Sequence, residues 1–105
     1  MEWLSPWYSI VDDDSQTTGM EQELRRELAT EHPLYGLPMR AVARRQDCDD
    51  VLFAIDDGTE RFAVVHLTWT TAAPDRLPWP ISRVYGDIAT WVVECMRTDH
   101  EAFSV

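Results

Sequence analysis

The sequence predicts an α+β domain: a three- or four-stranded antiparallel meander with two helices. Three observations predict it. Runs rich in apolar residues lie close together at 39–45, 50–56 and 61–69. The last two are separated by Asp57-Gly58, a pair that favours a two-residue hairpin turn. Segments 18–31 and 87–98 instead carry apolar residues at helical spacing. With 105 residues the chain fits one domain, 1–105, able to bury roughly two-thirds of its unfolded surface.

The elements follow in order. "WLSPWYSIV" (3–11) is apolar and aromatic, but Pro6 limits any strand to Trp7–Val11 or to an edge. "DDDSQTTG" (12–19) is a run of turn formers. Thr18 and Glu21 then have capping-box spacing, and Met20, Leu24 and Leu28 form a narrow helical stripe. That helix ends near Glu31, because His32 precedes Pro33 and is pushed out of the α region. The three strand runs come next. A two-residue turn at Asp57-Gly58 sets Phe53 opposite Phe62, Val51 opposite Val64 and Asp49 opposite His66. "TTAAPDRLPWP" (70–80) reads as an irregular loop and "ISRVY" (81–85) as a short fourth strand. Asp87 caps the second helix, whose face is Ile88, Trp91, Val92, Cys95 and Met96.

Charge is the strongest global signal. Asp and Glu number 19 against 9 basic residues, all arginine, for a net charge of −10. Phosphate contacts need a basic surface, so nucleic acid is not the expected partner. An anionic membrane surface is disfavoured for the same reason. A basic protein is the ligand such a field attracts; the bland alternative is solubility alone. Cys48 and Cys95 form no CxxC and read as free thiols in a reducing compartment. The start lacks a signal-peptide pattern, and no apolar run approaches the roughly 18 residues of a membrane span. A cytoplasmic protein is expected.

Motifs for chemistry are few. The glycines never cluster, so no phosphate-binding loop can be written. His32, His66 and His100 are spread evenly and give no metal spacing. From Asp12, the acidic run nearly matches a calcium loop, but Thr17 stands where glycine is required. No metal or cofactor is expected. His66 sits within "ERFAVVHLTW" (60–69). An opposed Asp49 makes half of a catalytic dyad, or an ordinary cross-strand pair; no nucleophile is placed by spacing. Two acidic groups stand at the hairpin turns: Asp47, Asp49 and Asp50 at one, Asp56, Asp57 and Glu60 at the other. Aspartate favours turns in any case, but three in four adjacent positions also makes a negative surface. Tryptophans beside prolines, such as Trp79 between Pro78 and Pro80, either cover a sheet face or form a partner site.

The pattern "HPLYG…MRAVARR…DDVLFAIDDG…RFAVVHLTW…WP" (about 32–96) resembles a group of small bacterial proteins of uncharacterised function. It carries no catalytic residue across. In general profile (small, acidic, without a site motif) the chain is similar to toxin-immunity proteins. The reading is a non-catalytic binding protein, an immunity-like inhibitor of a basic toxin or enzyme. Its binding residues are Asp47, Asp49, Asp50, His66, Trp69 and Trp79. The alternatives are a small enzyme using His66 and Asp49 under the 70–80 loop, and a homodimer joined through a sheet face.

Overall fold

The computed structural model of the protein describes residues 1–69 and 77–103. Its elements are β1 (Trp7–Ser9), α1 (Asp14–Glu27), β2 (Met39–Arg45), β3 (Asp50–Ile55), β4 (Phe62–His66) and β5 (Ser82–Tyr85). The chain then runs through α2 (Ile88–Trp91), a π-helical turn (Val92–Met96) and α3 (Arg97–Phe103). The strands form one antiparallel sheet in chain order. The expected α+β meander is present, with five strands rather than three or four. The added strand is β1, which pairs Trp7 with Arg45 just after Pro6. Pro6 is tolerated because it precedes the strand at the sheet's edge.

Helix α1 is capped five residues earlier than in the capping-box reading. Asp13 is its N-cap, its side chain accepting from Gln16 N; an aspartate there satisfies a free donor as well as Thr18 would. The helix stops at Glu27, where Leu28 turns extended while its N–H still bonds Leu24. The C-terminal helical run reaches Phe103, beyond the expected residue 98.

Both sheet faces are covered. On one, Met20 and Leu24 of α1 pack with Leu28 on Val51, Phe53, Ile55, Ala63, Val65 and Leu67. On the other, Trp91 and Met96 pack with Trp7, Leu52 and Tyr85. Trp7 and Trp91 meet edge to face, centroids 5.1 Å apart, an arrangement worth about 1 kcal/mol beyond its buried area.

The β3–β4 register differs from expectation by one residue. Phe53 lies opposite Ala63, Val51 opposite Val65, and Asp50 opposite His66. The hairpin closes with Ile55 N–H donating to Arg61 O, which leaves five residues in the loop. Gly58 and Glu60 both take left-handed φ, +85° and +63°, and Asp57 accepts from Thr59 N. That local bond favours the longer loop over a two-residue turn. A slip of one residue exchanges the faces of a strand's partners. Phe62 therefore joins the Trp91 face while Phe53 stays on the α1 face.

Candidate functional site

The residues of interest gather at the lower end of the sheet, where the β2–β3 turn meets the end of β4. Cross-strand register brings His66 beside Asp50, with Nδ1 2.7 Å from Oδ1. The expected partner, Asp49, is displaced by the register shift. Asp49 instead lends its backbone carbonyl to Leu67 N. Its side chain has no hydrogen bond or ion pair among the described residues. Asp47 is bonded twice by Arg45, which holds its carboxyl below the usual range. Of the three acids, Asp47 and Asp50 are thus engaged within the chain, and Asp49 has no side-chain partner among the described residues. His66 is not occluded: its side chain is 45% exposed.

Trp69 and Trp79 are both exposed, at 44% and 46%. Trp69 has φ +56°, a left-handed conformation that costs a bulky residue on the order of 1 kcal/mol or more. It is held there by Glu27, which is fully buried. Glu27 accepts from Thr68 N at 2.8 Å, from the Thr68 hydroxyl at 3.0 Å and from Trp69 N at 2.9 Å. Burial, then a hydrogen bond with Glu23, pushes the Glu27 carboxyl up to about 7. Glu23 is held low, chiefly by its bond to Arg26.

Across the segment's other flank, His32 is buried at 4% exposure. Its Nδ1 accepts from Leu34 N, so the proton sits on Nε2 and is donated to the Pro80 carbonyl at 2.9 Å. Glu27 and His32 thereby fix the chain at Trp69 and at Pro80. Residues 70–76 of the loop expected at 70–80 lie outside the described residues.

Neither Glu27 nor His32 is among the sequence-predicted site residues. A signal for Glu27 was present. Met20, Glu23, Leu24, Glu27 and Leu28 follow i, i+3, i+4, i+7, i+8, and all five are buried. Two glutamates on the stripe a helix turns inward mark carboxylates with buried partners.

One cavity borders the site, and an apolar groove lies elsewhere. The cavity, polar and of about 160 Å³, is on the Trp91 face and is lined by Asp50, His66, Arg83, Tyr85, Cys95 and Asp99, among others. Asp99 accepts from Trp7 Nε1 at 2.8 Å and pairs with Arg45 at 3.3 Å. Burial, with Asp99 beside it, pushes the Cys95 thiol up to about 12, so it stays protonated and is a poor nucleophile. The apolar groove, of about 570 Å³, lies between α1 and the 35–40 segment, far from His66 in the fold, with Leu24, Leu28, Leu37 and Met39 on its walls.

Among the described residues, no group of three or more His, Cys, Asp or Glu is placed to hold a metal ion. No helix among them is long and apolar enough to cross a membrane. No protein-family model, no curated protein and no solved structure matches the chain.

Proposed function

We propose that the protein is a non-catalytic, cytoplasmic binding module for a basic protein, of the kind that neutralises a toxin or enzyme by occlusion. One observation carries this reading: an exposed tryptophan, Trp69, locked in a left-handed backbone conformation by a fully buried carboxylate. Backbone outliers persist only where the surroundings over-determine them, and they concentrate at functional sites. A rigid, exposed tryptophan is the residue type that anchors protein interfaces. Asp49, whose side chain makes no hydrogen bond or ion pair among the described residues, is the acid left to meet an arginine or lysine, and the net charge of −10 steers a basic partner toward the molecule.

The test is affinity capture from the source cell with tagged wild type, Trp69→Ala and Asp49→Arg in parallel. The expected result is one basic protein retained in stoichiometric amount by wild type and lost by both variants. Equal capture by wild type and Trp69→Ala would sink the reading. A stable dimer by light scattering, with nothing else captured, would favour self-association instead.

A second reading, a small enzyme, is favoured by the His66–Asp50 pair bordering a cavity. In it Asp50 takes the role first given to Asp49, orienting the ring as a general base. The protonated Cys95 supplies no nucleophile, so that chemistry would have to run through water.

A further inference from the structure

The sheet ends at β5, and the outer side of that strand is open. His66 N–H donates to the Ile81 carbonyl at 2.9 Å, and bonded pairs alternate along an antiparallel ladder. Ile81, Arg83 and Tyr85 therefore turn their backbone groups toward β4, and Ser82 and Val84 turn theirs away. The other side of β4 has the matching parity, with Leu67 N–H on the Asp49 carbonyl and Ile55 N–H on the Arg61 carbonyl. The outward backbone groups of Ser82 and Val84 make no hydrogen bond among the described residues. The opposite edge is blunted. Strand β1 has three residues, follows Pro6, and turns its outward Trp7 N–H back to the Leu4 carbonyl. Along β5, by contrast, Leu77, Trp79, Ile81 and Val84 are exposed apolar side chains. An open edge flanked by apolar residues is a template for another strand.

We propose that this edge is a docking surface for a second copy of the chain, with β5 paired antiparallel to β5 of the copy about a two-fold axis at Val84. Charge selects the occupant. Residues 77–86 contain no acid, and Arg83 is their one charge, so a basic partner would meet like charge here. A second copy brings the same acid-free strand, with Asp87 just beyond it. Two registers oppose outward groups to outward groups. One sets Arg83 against Arg83 of the copy, a like-charge pair that opposes association. The other sets Val84 against Val84 of the copy, and Arg83 against Tyr85 of the copy, one step from its Asp87. In that register the two valines exchange two backbone bonds and cover each other. The interface is small, and two bodies of net charge −10 repel at long range, so the dimer is weak and is strengthened by salt. It uses neither Trp69 nor Asp49, and it goes beyond the reading of a basic partner.

The experiment uses the pure protein alone, under reducing conditions. Sedimentation velocity from about 2 to 200 μM in 0.15 M salt is expected to show a monomer passing to a dimer, with Kd of order 10–100 μM. Amide hydrogen exchange across the same range reads the register. Ser82 and Val84 are expected to gain protection with concentration, while Arg83 and Tyr85, bonded to β4, are protected throughout. Val84→Pro removes only an outward N–H, which an edge strand tolerates, and Val84→Lys sets two ammonium groups face to face. Each is expected to weaken the dimer tenfold or more with far-UV circular dichroism unchanged; where Val84→Pro does not fold, Val84→Lys and the exchange pattern decide. A monomer at every concentration overturns the proposal. So does a dimer in which Ser82 and Val84 gain no protection, or one that a folded Val84→Lys variant forms as well as wild type.

Discussion

The two ends of the sheet carry similar acidic turns and use them differently. At the upper end, the β3–β4 loop turns its acids on itself. Asp57 accepts from Thr59 and pairs with Arg61 at 3.1 Å, and Asp56 stands 3.6 Å from Arg40. These are exposed, local contacts, the kind that contribute little to stability. At the lower end, the decisive carboxylate is not in the turn at all. Glu27 comes from α1, is fully buried, and spends its oxygens on backbone donors of the strand that leads to Trp69. The lesson is that acidity in a sequence does not reveal its use. A turn aspartate satisfies its own loop; a buried glutamate sets the conformation of a distant segment.

Glu27→Ala breaks the contrast most severely. It leaves the Thr68 and Trp69 N–H groups without their acceptor, and we expect a loss of about 3 kcal/mol in urea unfolding. Glu27→Gln keeps one acceptor and should lose less. Asp57→Ala at the upper end should shift the midpoint only slightly in the same experiment. A loss as large as that of Glu27→Ala would erase the distinction between the ends.

Changing pH should separate the ends by sign. The Glu27 carboxyl titrates near 7 when folded, above its ordinary value of 4.5. The folded chain therefore holds a proton that the unfolded chain releases between those values. The stability this contributes is full below about pH 4.5 and is lost as pH rises through about 7, on the order of 3 kcal/mol in all. Asp57 is shifted the other way, below 3.8, by its bonds to Thr59. Its contribution is present above about pH 4 and lost on further acidification. Unfolding curves at pH 5 and pH 8 should show the higher midpoint at pH 5, and Glu27→Gln should flatten that slope. A midpoint rising from pH 5 to 8 would contradict the assignment.

The smallest expected effect sharpens the reading of Trp69. Trp69→Gly removes the side chain and relieves the left-handed backbone, whereas Trp69→Ala removes the side chain alone. The glycine variant should be the more stable of the two by about 1 kcal/mol. Equal midpoints would mean that the φ of +56° stores no strain.

Apolar-rich runs bounded by turn formers made β2, β3 and β4 legible, and helical spacing made both helical regions legible. The register was not, because a two-residue turn and a five-residue loop both fit "DDGTE", and Asp57 and left-handed Glu60 decide between them. That single residue moved His66 from Asp49 to Asp50. The lower-end site was partly legible: Asp50 and His66 meet through the strand pairing, Asp49 lies next to them in the turn, and Trp69 and Trp79 are exposed. The anchoring of Trp69 was not legible, since Glu27 meets Thr68 across 41 positions of sequence, beyond any local pattern.

The π-helical turn at Val92–Met96 has a consequence for chain length. A wide turn holds one residue more than an α-turn needs, so one deletion within it would let the helix close regularly. The residues after it would then keep their facing, so that Asp99 would still meet Trp7 and Arg45, and His100 would still meet Ser5. A deletion at Thr98, in the regular helix Arg97–Phe103, has no wide turn to absorb it and would rotate Asp99 by about 100°. The chain should therefore tolerate the loss of one residue at 92–96 and not at 98.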